Sequence, residues 1–407
     1  MGFEMSFAEP FLGQSKDVAR AAGGSLFRSG WVMLKDVMNR EISLALPLGF
    51  WLACGMVHAA STPANALLVL AKSDNTLAIV DPATMKVVAR MPSGPDPHEV
   101  IASADGKFAY VSNYGGGAYN TITVIDLVAQ KTLTPIDLGP LRGPHGLVFA
   151  GGKLWFTAEA AKVIGSYDPA TQKVDLVIGT GQNRTHMIFV SDDLKRIVTS
   201  NVSSATMTII EKRAGGGRGP GPGGPGPGGA GGTPPGGQGG RGPGGPGGRG
   251  GPMGPPGGDW DETVVAVGRG AEGFDVSPDG KEIWAANAQD GTVSIVDVDS
   301  KKVSQTLNAD VVSANRLKFT PDGKFVLVST LGGSNLSILD AAARKVVKRV
   351  NIGHGAAGIL MQPDGLRAYV ACTPDNYVAL IDLKSMEVTG HLDAGKQPDG
   401  LAWAAAR

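Results

Sequence analysis

The sequence has little cysteine: two residues in 407, Cys54 and Cys372. Cys54 falls in an apolar stretch near the start, so Cys372 is the only cysteine left for the rest of the chain. No disulfide framework can carry the fold, and stability must come from a core. The 42% of apolar residues is ample for one. Net charge is also absent, because 37 basic and 37 acidic residues cancel. Without a general basic field, nucleic acid is not expected as a partner. Phosphate loop, dinucleotide fingerprint, CxxCH haem site, Ser/His/Asp order and HExxH are all missing. YGGGAY at 114–119 is Gly-rich, but it joins two strands and opens no helix, so it reads as a hairpin loop. Cys372 sits in RAYVACTPD, reads as a strand residue and has no nucleophile signature around it.

Glycine and proline are in excess, at 61 and 27 residues. Most of that excess lies in residues 215–258, which have almost no apolar side chains to offset their ordering entropy. The segment lacks a strict Gly-X-Y period, so it reads as a disordered insertion rather than collagen. Near the start, MNREISLALPLGFWLACGMVHAAS begins at Met38. Arg40 precedes an apolar run that ends in Val57-His58-Ala59, the pattern of a secretory signal over 38–59 cut after Ala59. That run is short for a membrane span and is interrupted by Pro47 and Gly49, so no transmembrane segment is expected in the processed chain. Residues 1–37 read as sequence upstream of a true start, or as a disordered extension. Periplasmic or secreted localisation is the expectation.

What remains, 60–407, repeats. His98, His145 and His186 each sit just before a short apolar run. The same column continues with Glu272, Asn315, Ala357 and Asp399 at a period of about 42 residues, once 215–258 is set aside. Each unit carries an apolar strand, then a turn such as SPDGK, TPDGK or QPDGL, then strands like EIWAAN and TVSIVDV, then one like KVVKRV. Asp81, Asp126, Asp168, Glu211, Asp297, Asp340 and Asp382 close the third strand and are expected to cap the next turn. The C-terminal PDGLAWA is a lone first strand, and the segment after Ala60 supplies three strands without a first. The expectation is an all-β, seven-bladed β-propeller with four-stranded blades. Its N- and C-terminal strands share one blade and close the ring. Residues 215–258 follow Glu211, between third and fourth strands, and so hang from the face opposite the histidines.

AYVSNYGGG, IWAANAQDGTVSIVDVDSKKV and AYVACTPDNYVALIDLKSMEV resemble the YVTN-repeat β-propeller family, over nearly all of 64–407 outside the insertion. Such propellers include lactonase-like, surface-layer and binding proteins, so the resemblance speaks for fold more than activity.

The first strand of a propeller blade is innermost, so the column should gather at the mouth of the central channel. Imidazole and carboxylate suit a divalent transition metal, which makes His98, His145, His186 and Glu272 candidate ligands. A purely structural role at the strand start stays open, since apolar residues follow each histidine. The second strands are expected to end at Asn113, Glu159, Asn201, Asn287 and Thr330, with Glu159 the odd member and a candidate base or ligand. Arg142, Arg269, His354 and Lys396 lie three residues before the column and could ring the mouth for a small anionic ligand. Three functions follow: an exported binding or scaffold propeller with a ligand or metal site that takes a small anion or a partner protein; a metal-dependent lyase or lactonase acting on a cyclic ester; or a structural envelope protein. The enzyme reading rests on similarity to streptogramin-lyase-like propellers. That similarity implies His98, His145, His186, Glu272 and Glu159 as metal shell and base.

Overall fold

Turn chemistry defines the strands. In the SPDGK turn, Ser277 Oγ donates to Asp279 Oδ1 (2.6 Å) and accepts from the Glu282 amide (3.0 Å). Gly280 takes φ +72°, the conformation this hairpin requires. The same Ser/Thr–Asp pairing recurs at Ser103–Asp105, Ser191–Asp193 and Thr320–Asp322. The acidic column caps the turn after the third strand as expected. Asp81 accepts from the Ala83 amide, Asp126 from Val128, Asp168 from Ala170 and Asp382 from Lys384. Glu211, which precedes the insertion, instead pairs with Arg196 and Lys301.

These strands assemble, in a computed structural model that describes residues 61–213 and 260–405, into seven antiparallel sheets. Each is a blade of four strands. In one blade the fourth strand is split at Pro135 into Lys131–Thr132 and Ile136–Asp137. Second and third strands are buried on both sides, as in EIWAAN and TVSIVD. Fourth strands alternate exposed and half-buried, as in Lys173–Gly179, and most begin with a lysine that discourages edge pairing. The final strand, Pro398–Ala405, pairs with Asn65–Ala71 from Asn65↔Ala405 to Ala71↔Pro398. The two ends of the ring therefore share a blade. The first strands pack in a closed circle around the axis.

Buried hydroxyls stitch neighbouring blades. Thr157 Oγ1 accepts from the Gly146 amide of its own blade (2.8 Å) and donates to the His186 carbonyl of the next (2.7 Å). Ser200 and Ser329 donate likewise to the Glu272 and Ala357 carbonyls. Glycine follows the column where strands nearly touch: a Cβ on Gly146 would stand 2.5 Å from His186 O, and one on Gly358 2.2 Å from Asp399 O.

The strands that flank the insertion, Thr206–Lys212 and Trp260–Ala266, pair without interruption from Thr206↔Ala266 to Lys212↔Trp260. Lys212 also bonds the Lys195 carbonyl in the first-to-second strand turn, so the insertion leaves the ring at the end away from His186. The expected signal segment 38–59, residues 1–37 and the whole Gly/Pro-rich segment 215–258 lie outside the described residues. Among the described residues, no helix is long and apolar enough to cross a membrane. Cys372 is buried in the strand Arg367–Cys372, where burial pushes its thiol up to about 12.

Two outcomes follow. Thr157→Val should lower unfolding free energy by about 1–3 kcal/mol in denaturant titration, because it orphans a buried amide and a buried carbonyl, while Thr157→Ser should retain most of it. Replacing 214–259 by a short turn should leave a single cooperative melt, since the pairing on both sides is complete without it.

Candidate metal centre at the channel mouth

The column residues do converge. His98, His145, His186, Glu272, Asn315, Ala357 and Asp399 all line one pocket of about 220 Å³ at the end of the channel. His145 and His186 are almost fully buried, with ring centroids 3.9 Å apart, and His98 lies beyond His145 at 5.1 Å with its ring tilted. Glu159 is buried behind them. His186 Nδ1 donates to Glu159 Oε1 through a very short contact, and Tyr114 donates its hydroxyl proton to Glu159 Oε2 at 2.5 Å. His186 Nε2 lies 3.1 Å from Glu272 Oε1, though outside hydrogen-bond alignment. Arg184 bridges the two carboxylates, 3.2 Å from Glu272 Oε1 and 3.7 Å from Glu159 Oε2.

Donor atoms of His145, His186 and Glu159 all lie within 4.8 Å of one another. Ligands about 2.1 Å from one tetrahedral ion stand about 3.4 Å apart, so the widest of these separations would close by up to about 1.4 Å for the three to share an ion. His145 Nδ1 is buried with no hydrogen-bond partner. Burial, reinforced by the charge of His186, holds His145 well below the ordinary imidazole range, so its ring is neutral and offers a lone pair. His186 is the opposite case. Burial disfavours its charge, but Glu159 and Glu272 outweigh that and raise its pKa. Burial would likewise raise Glu272, yet His186 and Arg184 bring it down to about 2. The cluster is therefore an imidazolium held between two carboxylates, beside a neutral imidazole.

His98 stands outside the compact set. Its Nε2 lies 3.3 Å from Asp96 and its Nδ1 3.8 Å from Asp399, and burial with Lys72 nearby lowers it to about 4. Glu272 also falls outside the three-donor set, but it touches His186 directly. The cations that line the pocket are Lys72, Arg184 and Arg316. Arg142 lies on the exposed rim. Arg269 pairs with Asp290, His354 bonds Asp375, and the Lys396 amide bonds Asp74; none of these four lines the pocket.

The register of Glu159 departs from expectation. Val100 pairs with Val111, but Leu147 pairs with Phe156, because the Gly151–Gly152 turn brings the second strand in two residues sooner. Ala158, not Glu159, is the counterpart of Asn113. The true asparagines, Asn113, Asn201 and Asn287, are tied to hydroxyls of their own third strands. Glu159 belongs to a different ring, formed by the residue after each second strand: Lys72, Tyr114, Glu159, Val202, Ala288, Leu331 and Thr373.

Sequence reasoning missed Glu99 and Arg316, each one residue past the column. They come from blades on opposite sides of the ring and meet in a buried ion pair across the channel. Arg316 also donates to Asn315 Oδ1 at 3.2 Å. Burial works against its charge, but Glu99, Asp399 and Glu272 hold the proton firmly. Two charged residues at the position where other blades carry glycine were the available signal. Arg316→Met should cost about 3–5 kcal/mol, because Glu99 is left buried and unpaired, and Arg316→Met with Glu99→Leu should recover most of it. Denaturant unfolding of the single and double variants measures this.

No family model and no curated protein matches this sequence. Solved structures do. A functionally unknown protein of Desulfotomaculum acetoxidans superposes with TM-score 0.62 at 12% identity, over 84% of this chain and 100% of that one. A candidate 6-phosphogluconolactonase of Bacteroides uniformis gives 0.60 at 14%, over 83% and 99%. Hydrazine synthase of Kuenenia stuttgartiensis gives 0.57 at 17%, over 78% and 92%. At these identities the likeness is one of fold.

Proposed function

We propose that this chain is an exported binding propeller of YVTN type that holds one divalent transition metal at the channel mouth. His145, His186 and Glu159 would be its ligands, and Glu272 would stand next to them. The observation that carries the reading is His145 Nδ1: buried, neutral and without a partner, in a set of three donors within 4.8 Å of one another. Leaving such an atom unsatisfied costs about 1–3 kcal/mol, which a metal bond would offset. The charge balance supports the same reading. Without an ion, the His186 proton and Arg184 compensate Glu159 and Glu272. A divalent cation would take over that compensation and leave both imidazoles neutral. His98, on the far side of His145, would border the site and meet an incoming ligand. The signal pattern at 38–59 is the basis for export.

A metal-dependent lyase or lactonase is the second reading, favoured by the Tyr114 hydroxyl on Glu159. Burial, with Glu159 beside it, pushes that phenol up to about 12, so it stays protonated beside the site and can donate a hydrogen bond. A bound metal would supply Lewis-acid polarisation of an ester carbonyl. The chain's own part would be to orient the ester and hold the Tyr114 proton.

The test is metal content of the purified full chain after incubation with Zn²⁺, beside His145→Ala and Glu159→Gln, with thermal melts to show that each variant folds. About one equivalent in the parent and little in folded variants is expected; no retained metal in the parent sinks the proposal. Turnover of lactones by the loaded protein would move the reading from binder to enzyme. pH gives a further check. The pKa of His186 lies above 6.5, and ligation requires loss of that proton, so apparent Zn²⁺ affinity should climb with pH by up to about tenfold per unit and level off above that pKa. Isothermal titration at several pH values reads the slope.

A further inference from the structure

The pocket over this centre has two unlike walls. Of the ring of residues after the second strands, Lys72, Tyr114, Leu331 and Thr373 line it, and Leu331 is the apolar one. Leu331 and Ala357 face the pocket on the apolar side, and Leu331 is 50% exposed there. On the polar side Lys72 is loosely held. Its nearest polar neighbours are His98 Nδ1 at 3.5 Å, and Asp96 and Asp399 at 3.6 Å each, so none of its three donors is in a short bond. Beneath, the Arg316–Glu99 pair crosses the channel, so the pocket is a cup that opens on one side.

Resting on the metal reading, we infer that the cup binds a short aliphatic monocarboxylate. Its carboxylate would reach the metal between Lys72 and Arg184, and its alkyl end would lie on Leu331 and Ala357. Three features argue for this class. A volume of about 220 Å³ admits only a few carbons. Lys72 and Arg184 both line the pocket, and Lys72 has donors to spare for a carboxylate. Leu331, half-exposed beside the charged cluster, discriminates an alkyl chain from an inorganic oxyanion.

Calorimetry of the full chain loaded with Zn²⁺, titrated with acetate, butyrate and inorganic phosphate, tests it, and the Co²⁺-loaded chain provides a visible spectrum that reports on the metal's ligands. Butyrate should bind about tenfold tighter than acetate, since it buries two further methylenes, and should shift the Co²⁺ bands. Lys72→Met should weaken butyrate and acetate alike by tenfold or more. Leu331→Asn should erase the preference for butyrate and spare acetate. Zn²⁺ content and a thermal melt are measured for each variant. Metal bound but no butyrate binding, or phosphate binding in preference to butyrate, overturns the carboxylate while the metal reading stands. If no metal is retained, the metal reading falls, and butyrate titrated into the metal-free chain decides the rest. Lys72-dependent binding keeps the carboxylate in the cup, and its absence removes it.

Discussion

The inner strands of neighbouring blades approach so closely that a Cβ at Gly146 or Gly358 would collide with the next blade's backbone. This crowding around the axis is the constraint on which the rest depends. It demands glycine one residue past the column in several blades, and it lets a single hydroxyl such as Thr157 or Ser200 bond two blades at once. Where that position carries a long charged side chain, as at Glu99 and Arg316, the side chain can only enter the channel. There the two meet their opposites and close it. Ring closure and channel closure are thus consequences of the same packing.

The same crowding sets the electrostatics of the mouth. Five of the seven strand starts, at His98, His145, His186, Glu272 and Asp399, deliver ionisable groups to a small volume, and burial then splits otherwise identical side chains. His145 is forced neutral, His186 is held charged between two carboxylates, and Asp399 is pushed up to about 6 by burial despite Lys72 nearby. Such a set offers a cation two carboxylates and a neutral imidazole at close range. The insertion leaves from the opposite end of its blade, so ligand access to the mouth does not depend on where it attaches.

Much of this was legible in the chain. The period of about 42 residues, the Ser/Thr–Pro–Asp–Gly turns and the acidic residue after each third strand report local chemistry, and local chemistry is written in adjacent residues. The histidine column was legible for the same reason: a repeat puts equivalent positions at equivalent places. Glu159 was misaligned because spacing counts residues and cannot see that a Gly-Gly turn shortens one hairpin. The amides of Asn201 and Asn287 reach to the third strand, a contact that no spacing reveals.

By itself the sequence determined the repeat, the strand order, the seventh blade shared by the two ends, and the gathering of His98, His145 and His186 at one mouth. Each of these follows from periodicity and from the rule that first strands are innermost. Tertiary structure alone decided which groups touch: Tyr114 with Glu159, Glu159 with His186, and Glu99 with Arg316 across the ring. It also decided which histidine is neutral and which is charged. Those outcomes depend on distances of a few ångströms and on loss of water, and both come into being only when the ring closes.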